Sequence, residues 1–226
     1  MSASVAFVIP VLNEAASIAA VLRALKQRYP DAAICVVDGG SSDATVKQVL
    51  SCNTQLLLGE PGRSSQMNLG GFACAAADYL VFLHADTVPG CSWQELQDIL
   101  ATRPEWGFCR VRLSGSSLSF RVIEWFMNQR STLTRVATGD QMLFVRSDVF
   151  TSLEGFAALP LMEDIELSKR LRKRSAPAIV NTPALTSSRR WEQAGVVRTV
   201  LTMWAMRLAY VCGASPQVLA RYYHGR

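Results

Sequence analysis

The chain predicts an α/β fold on a mainly parallel, doubly wound sheet with flanking helices. Three observations carry that prediction. Short apolar runs recur at VAFVI (5–9), ICVV (34–37) and YLVFL (79–83), β-branched or aromatic as buried parallel strands are. Helical patterns alternate with them. Each run also leads into polar or acidic residues, namely Asn13-Glu14, Asp38 and Asp86. Ligands of open α/β sheets bind at the carboxyl ends of the strands, so carboxylates gathered there mark a site.

The elements follow in order. Within 14–29, Ile18, Val21, Leu22, Leu25 and Tyr29 share one helical face. A second helix begins near Ser42, with Val46, Val49 and Leu50 inward. A strand at 55–58 leads into GEPGRSSQMNLGG, read as a loop, then into a small-residue helix at ACAAA and the fourth strand. This alternation is that of a parallel sheet wound on both faces. Beyond it, 107–113 alternates like a half-exposed strand, 118–130 is helical and 142–146 is a strand. Glu163-Asp164 then open a helix that ends in Lys169, Arg170, Arg172 and Lys173, a charge order that suits the helix dipole. No repeat or linker divides the chain.

Composition narrows the function classes. At 226 residues and 50% hydrophobic, the chain can bury a full core, while only 18% of residues are charged and mean hydropathy is +0.17. Cys35, Cys52, Cys74, Cys91, Cys109 and Cys212 form no C-x-x-C pair and read as free thiols of a reducing compartment. The first apolar run is short, lacks a basic leader and ends at Pro10, so the expected location is the cytoplasm. The net charge of +5 resides in 187–226, where Arg189, Arg190, Arg198, Arg207, Arg221 and Arg226 face one acid, Glu192. The apolar stretch 196–212 carries two arginines and falls short of the ~20 apolar residues of a spanning helix. Arg198 and Arg207 point to opposite sides, so no clean amphipathic stripe is expected. The tail is left with three options: packing on the body, a homo-oligomer contact, or an anionic membrane surface on the inner face. Nucleic acid is not expected, since the basic residues lack interleaved aromatics on a recognisable module.

No G-x-G-x-x-G follows the first strand and no P-loop occurs, so dinucleotide and P-loop readings lose their phosphate cradle. LHADTVPG has His84 where an aspartyl-phosphatase nucleophile would stand. IPVLNEA has no glycine where a sugar nucleotidyltransferase would carry a Gly-rich loop. Six collinear motifs remain: VIPVLNEA (8–15), VVDGGSSDAT (36–45), GRSSQMNLGG (62–71), FLHADT (82–87), TGDQMLFVR (138–146) and LMEDIELSKRL (161–171). In order and spacing they resemble a family 2 glycosyltransferase of the GT-A fold, of the small bacterial stand-alone type.

The resemblance implies an inverting transferase that moves one sugar from a nucleotide-diphosphate sugar, with UDP expected, to an acceptor hydroxyl. It implies a transferase domain at 1–186, with a donor half at about 1–105 and an acceptor and catalytic half at about 106–186, followed by the helical tail 187–226. On the donor side it implies Pro10, Asn13, Glu14, Asp38, Gly39, Gly40, Asp43, Arg63, Ala85 and Asp86, with Asp38 accepting from the base and Arg63 facing ribose or phosphate. Asn13, Glu14 and Asp43 have helix capping as an alternative role. Gln66 and Asn68 have the tying-down of their loop as theirs. Asp86 is the implied ligand of Mg²⁺ or Mn²⁺, with hard oxygen ligands suited to those ions. His84 stands where a first acid often does, and either ligates the metal, contacts phosphate or serves as a strand-end residue. Asp164 is the implied general base, with Glu163 as fallback. Gly139, Asp140 and Gln141 border the acceptor pocket, and Arg190-Trp191 are similar to the arginine-tryptophan element of larger synthases. The acceptor is open, with a lipid-linked one among the choices. The alternatives are a catalytically silent nucleotide-sugar-binding or scaffold protein and, more remotely, a sugar nucleotidyltransferase.

Overall fold

The computed structural model describes residues 2–224, apart from the side chains of Arg190, Gln193, Ala194, Val197, Tyr223 and His224. The first half runs β1 (Val5–Val11), α1 (Ile18–Arg28), β2 (Ala33–Asp38), α2 (Thr45–Ser51), β3 (Gln55–Leu58), α3 (Arg63–Ala73), β4 (Tyr79–Phe82), β5 (Thr87–Val88) and α4 (Trp93–Ala101). Then come β6 (Trp106–Leu113), α5 (Leu118–Thr134), a 3₁₀ turn (Gly139–Gln141), β7 (Leu143–Arg146), α6 (Ser147–Ser152), α7 (Glu163–Arg174) and β8 (Ala178–Thr186). The chain closes with α8 (Arg189–Ala194), α9 (Val196–Val211) and α10 (Pro216–His224).

The eight strands form one sheet in the order β3-β2-β1-β4-β7-β6-β8-β5. β3, β2, β1 and β4 are mutually parallel, as their apolar runs predict. The second half adds a mixed edge: β7 is antiparallel to both β4 and β6, β6 is parallel to β8, and β5 is antiparallel to β8. Along β1, Val5, Phe7, Ile9 and Val11 enter one core cluster with α1, while Ala6 and Val8 enter the cluster on the opposite face. That period of two buries both faces of the sheet and leaves the strand ends open for chemistry.

Three features depart from the sequence expectation. Leu50, expected inward on α2, is exposed. β8 is a strand in a stretch where only helices are expected beyond 146. One helix lies earlier than its small-residue signal. RSSQMNLGGFA is helical (α3), and the residues read as a small-residue helix form the turn after it. The reason is close packing against the sheet. A Cβ on Gly70 would lie 2.5 Å from Val8, and one on Gly71 would lie 2.7 Å from Phe150. The glycines that cost helix propensity are what let α3 approach, and tertiary contact wins. From this helix Gln66 donates to the carbonyls of Val11 and Val37 at 2.8 Å each, tying the ends of β1 and β2 together. Asn68 likewise exchanges two hydrogen bonds with the backbone of Phe156.

The tail folds back onto the body. Trp191 shares a cluster with Leu113 of β6 and with Phe120 and Ile123 of α5, and Val196, Val200 and Met203 of α9 pack against it. Lys169 of α7 sits 4.4 Å above the Tyr210 ring, a cation–π contact that pins α9. Among the described residues, no helix is long and apolar enough to cross a membrane.

Candidate active site

At the ends of β1 and β2 two loops are laced together. Asn13, in the left-handed region (φ 55°), accepts from the Ser42 N–H through Oδ1, and its own N–H donates to Ser41 Oγ. Asp43 accepts from Ala15 N–H and Thr45 N–H, and the Thr45 hydroxyl bond above all holds its carboxyl below the usual aspartate range. Glu14 donates its N–H to Thr45 Oγ1 and accepts the Ser17 hydroxyl. Asn13 and Asp43 are therefore occupied in bracing. Asp38 differs: its Oδ2 accepts from the Gly40 and Ser41 N–H groups at 2.9 Å each, while its buried Oδ1 has no protein partner among the described residues. A buried acceptor without a donor is costly, and a ligand N–H would satisfy it. Gly40 stands at φ 93° beside it, and Gly39 is confined by Gln66, 2.9 Å from where a Cβ would be.

A cavity of about 230 Å³ opens beside this brace. Pro10 and Glu14 reach it from the end of β1, Arg63 from the start of α3, and His84, Ala85 and Asp86 from the end of β4. Gly139 and Asp140 border it from the 3₁₀ turn, and Glu163 and Asp164 from the first turn of α7. Met162, in the left-handed region (φ 69°), directly precedes that turn. For a residue with a long side chain this backbone costs energy, and such strain collects at functional sites. Asp164 Oδ2 accepts the Gly139 N–H at 2.9 Å, which fixes the carboxylate against the turn.

Charge in the cavity is not evenly solvated. Burial pushes the Glu163 carboxyl above its usual range, the adjacent Asp164 adds to this, and Arg63 at 3.7 Å opposes it. Between the ordinary glutamate value of 4.5 and the raised folded value, the native protein holds a proton that the unfolded chain has released. Stability therefore falls as pH rises through that window, and the deficit persists above it. Glu163→Gln removes the deficit. Its melting temperature without ligand is expected to exceed wild type at neutral pH, with the gain vanishing below about pH 4; thermal denaturation across pH checks this. Arg130 of α5 is half-buried within reach of the Asp164 and Asp140 charges. Burial pushes its guanidinium below the usual arginine range, and the charges of Asp164 and Asp140 pull it back up.

Most of the residues expected from the sequence meet here, and some do not. Asn13, Asp38, Gly39, Gly40 and Asp43 lie in the adjoining brace rather than on the cavity wall. Gln141 is fully buried and turns inward, its Oε1 accepting from the Thr138 N–H and the Ser131 hydroxyl. Trp191 lines the cavity, and the Arg190 side chain lies outside the described residues. Sequence reasoning missed the wall that α9 supplies through Met203, Met206 and Arg207. Opposite pointing of Arg198 and Arg207 was the available signal: one side of α9 faces inward.

A divalent cation can be tested against these residues. Among the described residues, no group of three or more His, Cys, Asp or Glu side chains forms a ready-made cage. His84 Nδ1 faces Asp140 Oδ1 at 3.4 Å, and its buried Nε2 has no hydrogen-bond partner among the described residues. A Cβ on Gly139 would lie 2.1 Å from Nε2, so that nitrogen abuts the 3₁₀ turn. This geometry suits His84 as a residue packed against the turn better than as a metal ligand. Asp86 does fit a hard cation, because Mg²⁺-type sites take one or two carboxylates and complete their shell with substrate phosphates and water.

Comparison with known proteins agrees with this layout. Residues 6–101 match the model of glycosyl transferase family 2. No curated protein matches at the sequence level. Among solved structures, Staphylococcus aureus TarS 1-349 superposes with a TM-score of 0.63 at 15% identity, over 82% of this chain and 60% of that one. TarS has also been solved with UDP-GlcNAc. Glucosyl-3-phosphoglycerate synthase from Mycobacterium tuberculosis, in complex with Mn²⁺, UDP and glucosyl-3-phosphoglycerate, gives 0.62 at 19%, over 93% and 80%. The mannosyltransferase PcManGT from Pyrobaculum calidifontis, with GDP-Man and Mn²⁺, gives 0.62 at 16%, over 83% and 57%. The chain thus spans about 60% of the TarS fragment. At such identities the structural likeness shows the fold, which is of the GT-A type, and residues 6–101 are similar to glycosyl transferase family 2.

Proposed function

We propose that the protein is an inverting glycosyltransferase that moves a single sugar from a nucleotide-diphosphate sugar, with UDP as the preferred nucleotide, to an acceptor hydroxyl. The observation that carries this reading is the convergence of Asp86 and Asp164 on one cavity beside Asp38, whose buried Oδ1 lacks a partner among the described residues. Asp38 Oδ1 is assigned to the base N–H, and Arg63 and His84 to the ribose–diphosphate side. Asp86 would hold Mg²⁺ or Mn²⁺, which supplies charge neutralisation on the leaving diphosphate. Asp164 takes the proton from the acceptor hydroxyl as its oxygen bonds the anomeric carbon, while the bond from that carbon to the diphosphate breaks. A single displacement with base and leaving group on opposite faces of the sugar inverts its configuration. In this reading 1–186 is the transferase unit, the protein works in the cytoplasm, and the tail completes the acceptor wall.

Binding to the native state alone raises thermal stability with the logarithm of saturation. In a melting panel of UDP, GDP, dTDP and CMP with Mg²⁺, Mn²⁺ or EDTA, UDP with metal is expected to raise the melting temperature, and EDTA to remove most of the shift. No shift with any nucleotide would sink the donor site. Binding of UDP and UDP-sugars without release of UDP in the presence of acceptor mixtures would favour a silent nucleotide-sugar-binding protein, for which the packing of His84 against Gly139 is the supporting observation.

A further inference from the structure

α5 and α9 are neighbours, because Phe120 and Ile123 of α5 share a cluster with Trp191 onto which Val196, Val200 and Met203 pack. One side of each is left bare. On α5, Leu118, Val122, Trp125 and Phe126 are exposed, with Trp125 and Phe126 stacked edge to face at 4.9 Å. On α9, Leu201, Trp204, Leu208 and Val211 are exposed at helical spacing, Trp204 to 65%. The clean stripe that the two arginines argued against in sequence therefore exists in the fold. Buried Met206 turns to the cavity, and the side of α9 opposite it is apolar, with Arg198 and Arg207 at its flanks. An exposed apolar area of this kind marks an interaction surface.

The charge around it selects the partner. α5, α9 and α10 carry a single acid between them, Glu124, which is buried and paired with Arg121 at 3.0 Å. Arg135 at the end of α5, Arg198 on α9 and Arg221 on α10 are exposed. A second copy of this surface would set arginines against arginines. An anionic bilayer offers phosphates to the arginines and an interface where tryptophans rest with one edge apolar and one wet. We propose that the outer faces of α5 and α9 dock this protein on an anionic lipid surface, lying in the headgroup region without crossing it. Resting on the transfer reading, one consequence follows for the acceptor. The helix that meets the lipid also carries Met203, Met206 and Arg207 into the cavity, so an amphiphile with an anionic head fits that wall.

The test is co-sedimentation of the full chain with vesicles of phosphatidylcholine, alone or with phosphatidylglycerol, while tryptophan emission is followed. The protein is expected to pellet with the anionic vesicles with a blue shift in emission, and to bind neutral ones far more weakly. Arg198→Gln and Arg221→Gln should each weaken binding about fivefold. The double variant Trp125→Ser, Trp204→Ser should lose at least about tenfold, with its melting temperature and UDP-induced shift unchanged. Those two controls separate a failed fold or a failed donor site from a failed surface. Equal binding to neutral and anionic vesicles, or none to either at about 0.1 M salt, would overturn the proposal. So would a wild-type dimer that the double tryptophan variant turns into a monomer in light scattering.

Discussion

Asp164→Asn is expected to lower the rate of sugar transfer about 10²–10⁴-fold while UDP still binds. The substitution is nearly isosteric, and asparagine Oδ1 can still accept the Gly139 N–H that the carboxylate accepts at 2.9 Å. What it removes is proton affinity, the property a general base requires. On the proposed mechanism the loss therefore falls on kcat, with KM for the donor little changed. Single-turnover assays of UDP release, beside the UDP melting shift, separate these quantities. Glu163→Gln serves as the internal contrast. Glu163 is nearly fully buried beside Arg63 and less open to an acceptor, so its loss should cost far less transfer than that of Asp164. If Glu163→Gln proved the more damaging, the base would be reassigned.

Asp86→Asn is expected to abolish the metal-dependent part of UDP binding and to lower transfer by about 10³-fold, the scale of several kcal/mol of charge neutralisation. Asp86 reaches the cavity from the end of β4, with its main-chain carbonyl accepting the Ser187 N–H from the residue after β8. That anchoring, together with neutral isosteric replacement, predicts an intact fold. Titration of Mn²⁺ against the UDP-induced shift in wild type and variant tests this. A variant that retained the metal-dependent shift would move the cation to another carboxylate, with Asp140 the neighbouring candidate.

Much of this was legible in the chain. VAFVI, ICVV and YLVFL are strands because such runs bury on both faces of a parallel sheet, and the acids after them stand at its carboxyl edge. Glu163-Asp164 open α7 as the charge order suggests. Less legible was whether an individual polar residue serves a ligand or the scaffold. Asn13, Asp43 and Gln141 carry the same groups either way, and only their partners Ser42, Thr45, Thr138 and Ser131 distinguish the roles.

By itself, then, the sequence determined the α/β class, the four parallel strands, the strand-end acids and the family resemblance, because each depends on local pattern and order. Tertiary structure alone decided that β7 enters antiparallel between β4 and β6, that glycines let α3 press on the sheet, and that α9 walls the cavity with Arg207 while baring Trp204. Those outcomes depend on contacts between segments far apart in the chain. Local periodicity reports that a face is apolar, and only packing decides which neighbour, if any, covers it.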